Sequence, residues 1–291
     1  MAGTTWPVGV NTWVWTSPLT DSSLAEIAPR VAGWGFDVLE LPVERVGDWD
    51  PDRAARVLAD NGLTASVSLV MGEGRELVAA DAGTVRATQD YLRAVVDAAH
   101  TVGARVIGGP AYASVGRTWR TTPQERADAC DQLAENLAPV VEHAISAGVV
   151  VGLEPLNRYE TSLINTVDQA LDVVGRLPAE GIGLMLDVYH MNIEERDLPA
   201  AVVRAGERIA AVQVSGNDRG APGGGGIDWR ALLTALERAG YAGPLVIESF
   251  TADNATIATA ASIWRPLAVT QDALAIEGLA ELRGLMPLPQ V

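Results

Sequence analysis

Four apolar runs in the chain end on side chains that can hold a cation or move a proton. They are Glu154 in "VGLEP", Asp187 in "LMLDV", Gln213 in "AVQVS" and Glu248 in "LVIES". Three are carboxylates and the fourth offers an amide oxygen. Gln213 lies between Val212 and Val214 in a run that reads as buried strand. A buried primary amide without partners costs on the order of a few kcal/mol, so this one needs solvent or a ligand. Carboxylates crowded into a partly dehydrated place oppose one another's ionisation, and a bound cation removes the conflict. Oxygen donors that are mostly anionic suit a hard or borderline divalent ion, Mn²⁺ or Mg²⁺ ahead of Zn²⁺, with Co²⁺ a further candidate. Singly, each residue reads as a polar strand end paired with a basic side chain. Together, in matching places on successive runs, they point to a metal.

Further polar residues follow these runs. "EPLNRYET" sets Asn157, Arg158, Tyr159 and Glu160 in the loop after Glu154, and "DVYHMNIEE" sets His190 in an expected loop after Asp187. Of the three histidines, His100 ends a helical pattern and His143 lies within one, which leaves His190 as the one placed for chemistry. Arg219, beyond Gln213, either anchors a substrate hydroxyl, carbonyl or carboxylate or is a solvated loop arginine. Trp13 and Trp15 close the first apolar run and Tyr112 follows the fourth. These aromatics are either core or the apolar wall of a pocket, and Trp15 and Tyr112 are taken as substrate-binding candidates. "MGEGRE" is no phosphate loop, since no Lys-Ser/Thr follows it, and the chain has no dinucleotide fingerprint.

The elements that must position these residues are legible as an alternation. Strands are expected over 8–15, 37–42, 64–70, 104–110, 149–155, 182–188, 210–215 and 245–250, nearly continuous in apolar residues as parallel strands covered on both faces are. Helices are expected over 22–33, 51–61, 83–102, 123–147, 166–176, 197–206 and 229–239, with a helical tail from about 255 to the end. Glycine repeatedly stands between helix and strand, as in "HTVGARVIG" and "ISAGVVVGLE". Eight such units in 291 residues predict a (β/α)₈ TIM barrel forming one domain over residues 1–291, whose chemistry belongs at the C-terminal ends of the strands. With 21 basic against 37 acidic residues the net charge is −16, which repels nucleic acid and anionic membrane surfaces. Cys130 is alone, so no internal disulfide forms. No secretory leader pattern and no membrane-spanning run is visible, and a cytoplasmic protein is expected.

"GLEPLNRYETSLINT" (152–166), "LMLDVYHMNIEE" (184–195), "NDRGAPGGGGIDW" (217–229) and "GYAGPLVIESF" (240–250) resemble the motifs of ketose 3-epimerases of the tagatose/allulose type, within the xylose-isomerase-like sugar isomerases and epimerases. The resemblance is dense in the second half of the chain and looser in the first. It implies that Glu154, Asp187, Gln213 and Glu248 bind the metal, and that Glu154 and Glu248 are the catalytic acid/base pair. It also implies that Glu160, His190 and Arg219 hold the oxygens of a small-molecule sugar, and that the protein forms a homo-dimer or homo-tetramer. Two positions depart from the family: Gln213 stands where these epimerases carry histidine, and Gly216 where they carry glutamate. "VQVSG" is similar to the corresponding strand of hydroxypyruvate isomerases, so the alternative is an aldose–ketose or hydroxypyruvate-type isomerase, or a keto-sugar lyase or dehydratase with the same metal site. The abasic-site endonucleases that share this barrel would want a histidine-rich zinc cluster and a basic surface, and the chain has neither. Both glutamates being present argues against a merely sugar-binding barrel.

Overall fold

The computed structural model describes residues 5–286. The eight strands are β1 (Val8–Asn11), β2 (Val38–Val43), β3 (Thr64–Leu69), β4 (Val106–Gly109), β5 (Val150–Leu153), β6 (Ile182–Asp187), β7 (Ile209–Val214) and β8 (Leu245–Ile247). They pair in parallel in chain order, and β8 closes onto β1 to complete a (β/α)₈ TIM barrel. Helices α1 (Asp21–Trp34), α2 (Pro51–Asp60), α3 (Ala82–Val102), α4 (Pro123–Ala147), α5 (Val167–Val174), α6 (Val188–Glu194), α7 (Leu198–Ala205) and α8 (Trp229–Arg238) lie between the strands. Two more, α9 (Ala255–Ala260) and α10 (Gln271–Leu285), follow β8.

Local chemistry sets the ends of these elements. Thr122 and Glu125 form a reciprocal capping box at the start of α4, with Pro123 pre-set in its first turn. Gly103 and Gly148 end α3 and α4 at φ 76° and 69°, a left-handed geometry that favours glycine and turns the chain into the next strand. The main core lies between strands and helices, where Leu39, Leu41, Ile107, Leu133, Leu137 and Leu184 are all buried.

Three expectations need correcting. The first strand stops at Asn11, because the Asn11 side chain accepts from the Trp13 N–H and opens a 3₁₀ turn over Thr12–Val14, so Trp13 and Trp15 lie beyond it. A helix, α6, stands where a loop was expected after β6, since the Asp187 carboxylate caps it by accepting from the Tyr189 N–H. The tail is two helices rather than one continuous run, and its residues 287–291 lie outside those described.

Inside the barrel, two glycines make room for one large side chain. A Cβ on Gly108 would overlap the Met185 sulfur, and one on Gly152 would sit 3.3 Å from the Met185 Cβ. Nearer the first strands the interior is polar. Asn11, Glu40 and Ser66 are register partners on β1, β2 and β3, and Asn11 Nδ2 donates to Glu40 Oε2 at 2.8 Å.

Candidate active site

β5, β6, β7 and β8 are consecutive neighbours in the barrel. Glu154 follows the last residue of β5, Asp187 ends β6, Gln213 pairs in register with Asp187, and Glu248 follows the last residue of β8. All four are buried. Adjacent parallel strands thus bring to one mouth side chains that lie far apart along the chain.

The Glu154 backbone is held at both ends: its N–H donates to the Gly109 carbonyl at 3.0 Å, and its own carbonyl accepts from the Tyr112 hydroxyl at 2.9 Å. No donor among the described residues forms a hydrogen bond with its carboxylate. Burial, together with the charges of Asp187 and Glu248, pushes the Glu154 carboxyl well above the usual carboxylate range. Glu248 is likewise raised by burial, against the opposing pull of Arg219.

Arg219 answers part of that charge. Its NH1 stands 2.6 Å from Asp187 Oδ2 and 2.9 Å from Glu248 Oε2, and the guanidinium carbon lies over the rings of Tyr189 at 4.1 Å and Phe250 at 4.9 Å. The backbone there is left-handed, φ 67°, in a loop closed by the Gly216 N–H on the Gly220 carbonyl. The side chain is buried rather than solvated. Burial opposes its charge, but Asp187 and Glu248 more than offset that, so it stays a cation.

His190, in the first turn of α6, is fixed in role by its neighbours. Nδ1 faces two donors, the Asn157 backbone N–H at 3.1 Å and Asn157 Nδ2 at 2.9 Å. Nδ1 is therefore an acceptor, and in the neutral ring the proton sits on Nε2. Burial lowers the imidazole's proton affinity and keeps it neutral. Nε2–H looks towards Asp187 Oδ2 at 3.4 Å and Glu154 Oε1 at 3.6 Å. The Arg219 NH2 group 3.1 Å away is also a donor, so that contact is not a hydrogen bond. Asn157 Nδ2 also donates to Glu160 Oε1 at 2.8 Å, and the bidentate pairing of Arg158 with Glu194 ties this loop to α6.

Two of the aromatic candidates are engaged by the protein itself. Trp15 stacks on Trp34 and donates its indole N–H to Asp272, so it is spent on the contact between α1 and α10. Tyr112 is fully buried, with its hydroxyl committed to the carbonyls of Glu154 and Ile164. It supports the strand end. Trp13, edge-on to Phe250 and bonded through its indole to Glu44, is nearer the part a pocket wall needs.

Sequence reasoning passed over Glu40. It is a wholly buried carboxylate of β2 that accepts from Gln213 Nε2 at 2.6 Å, Asn11 Nδ2 at 2.8 Å and Ser66 Oγ at 3.0 Å. The available signal was a lone charge inside the apolar run "DVLELP". Gln213 Nε2 also donates to Glu248 Oε1 at 3.1 Å, while Gln213 Oε1 is buried with no partner.

These features fit a cation. Four buried carboxyls, Glu40, Glu154, Asp187 and Glu248, face a single buried guanidinium and a neutral imidazole. Glu154 and Asp187 each offer a carboxylate oxygen that could ligate a metal, within 4.8 Å of one another and of a His190 ring nitrogen, whose Nε2–H would instead bond an oxygen bound beside the ion. The unpartnered Gln213 oxygen is the uncharged donor such a site would use. Two cavities of about 570 and 290 Å³ open at the opposite, N-terminal end of the strands and include none of the four strand-end residues.

Residues 29–276 match the family described as Xylose isomerase-like TIM barrel, and the chain belongs to that family. Within it, the chain is 31% identical over 278 residues to a ketose 3-epimerase of Arthrobacter globiformis, covering 95% of each chain. It is 32% identical over 273 residues to an L-ribulose 3-epimerase of Mesorhizobium japonicum, covering 92% of this chain and 90% of that one. A solved L-ribulose 3-epimerase superposes with a TM-score of 0.87 at 30% identity, over 97% of this chain and 96% of the other. Enzymes so named are isomerases acting on sugars. No helix among the described residues is long and apolar enough to cross a membrane.

Proposed function

We propose that the protein is a divalent-metal-dependent sugar epimerase that inverts C3 of an unphosphorylated ketose. The observation that carries this reading is the unpartnered, buried Gln213 oxygen beside strand-end carboxylates that outnumber the buried cations. Glu154, Asp187, Gln213 and Glu248 would hold the ion, which would neutralise charge building up on the substrate's C2 and C3 oxygens. Glu154 and Glu248, just past the ends of β5 and β8, would flank C3. One takes the C3 proton to leave an enediolate, and the other returns a proton to the opposite face. His190 Nε2–H, Glu160 and Arg219 would hold the oxygens at the O1/O2 end. The buried carboxyls Glu40, Glu154, Asp187 and Glu248 outnumber the one buried arginine among the described residues, Arg219, so a phosphate would add negative charge to a site already in excess of it. The names borne by the relatives support a ketose and its C3.

Gln213 together with Gly216 favours a second reading, an aldose–ketose or hydroxypyruvate-type isomerase. Incubating the enzyme with Mn²⁺, D₂O and a panel of ketoses and hydroxypyruvate separates the two. Deuterium at C3 is the expected result, deuterium at C1 or C2 establishes the isomerase, and no exchange with any substrate rejects both.

A further inference from the structure

A glutamine amide can turn either end to a metal, and only its oxygen is a ligand. We infer that Glu40 is the positioning residue that fixes which end of Gln213 faces the ion. This rests on the reading of Gln213 as a ligand. The amide has two N–H donors. Glu40 Oε2 at 2.6 Å and Glu248 Oε1 at 3.1 Å take both, which leaves Oε1 without a partner. Turned over, the amide would set its oxygen against two carboxylate oxygens and lose both hydrogen bonds, so the turned form is disfavoured. Glu248 could not fix the amide alone, because it is itself a proposed ligand and is drawn by Arg219. Glu40 is anchored independently of the mouth by Asn11, which donates to the same Oε2, and by Ser66, which donates to Oε1. It belongs to β2, outside the four strands whose ends carry the proposed ligands, and acts on the site through Gln213.

The test is a double-mutant cycle read by calorimetric Mn²⁺ titration, with circular dichroism confirming the fold of each variant. Glu40→Leu should weaken Mn²⁺ binding about 10- to 100-fold, the range for losing a group that orients a ligand. Glu40→Gln keeps an oxygen that accepts from Gln213 Nε2 and should stay close to the parent protein. In a Gln213→Ala background, Glu40→Leu should change the affinity no further. Should Glu40→Leu not fold, Asn11→Ala removes one donor from the same Glu40 oxygen. It should weaken Mn²⁺ binding in the Gln213 protein and not in Gln213→Ala. Equal weakening by Glu40→Leu and Glu40→Gln would show that the charge of Glu40 acts rather than its orienting bond, and would overturn the inference. Additive losses in the Gln213→Ala background would overturn it too. If the parent protein takes up no Mn²⁺, the metal reading falls and this inference with it. If the cycle couples as expected but no substrate exchanges deuterium, the reaction assignment fails and the positioning role stands.

Discussion

At the scale of single residues, the two proposed acid/base groups differ in what holds them. Glu248 is gripped by Gln213 and Arg219, whereas the Glu154 carboxylate is free of hydrogen-bond donors among the described residues. Glu154→Gln and Glu248→Gln keep the size of each side chain and remove its proton chemistry. Each should lower kcat for epimerisation by about 10²- to 10⁴-fold with the fold intact. Steady-state kinetics with the substrate found in D₂O reads this directly, and a kcat near that of the parent enzyme removes the residue from the acid/base role. Glu154, Asp187, Gln213 and Glu248 were legible in the sequence because a strand end is a place the apolar pattern marks. Glu40 was not, because it sits inside a run and its meaning depends on Gln213, 173 residues away. Only the closure of the barrel brings those two together.

The elements were read well where a repeating pattern defines them and less well where one side chain decides. Seven of the helices between strands follow from apolar periodicity and glycine punctuation. The end of β1 and the start of α6 depend instead on single caps, Asn11 and Asp187, whose hydrogen bonds override the surrounding apolar residues. Tyr112 shows the same limit: its aromatic character suggested a pocket wall, but a hydroxyl that secures the carbonyl of Glu154 makes it a brace between the segment after β4 and the end of β5. Tyr112→Phe leaves that buried carbonyl without this donor. It should cost about 1–3 kcal/mol in chemical denaturation and lower kcat as Glu154 loosens. Unchanged stability would mean that the hydroxyl contact carries no load.

For the whole molecule, the barrel divides its labour along its axis. The C-terminal mouth gathers Glu154, Asp187, Arg219 and Glu248, and the interior is polar beside β1, β2 and β3 but filled by volume matching beside β4, β5 and β6. Met185 on β6 occupies the space left by Gly108 on β4 and passes beside Gly152 on β5, so three strands share one pocket of volume. Residue choice at 108 is therefore conditional on residue choice at 185. Gly108→Ala alone should cost about 1–3 kcal/mol through overpacking, and Met185→Ala alone about 2–5 kcal/mol through the void it leaves. The double variant should lose less than the sum, because the added methyl no longer meets the thioether. Additive losses in denaturant titrations would mean that Met185 simply rotates away. Among descendants of this barrel, the two positions should drift as a correlated pair, a larger residue on one strand appearing with a smaller one on the other.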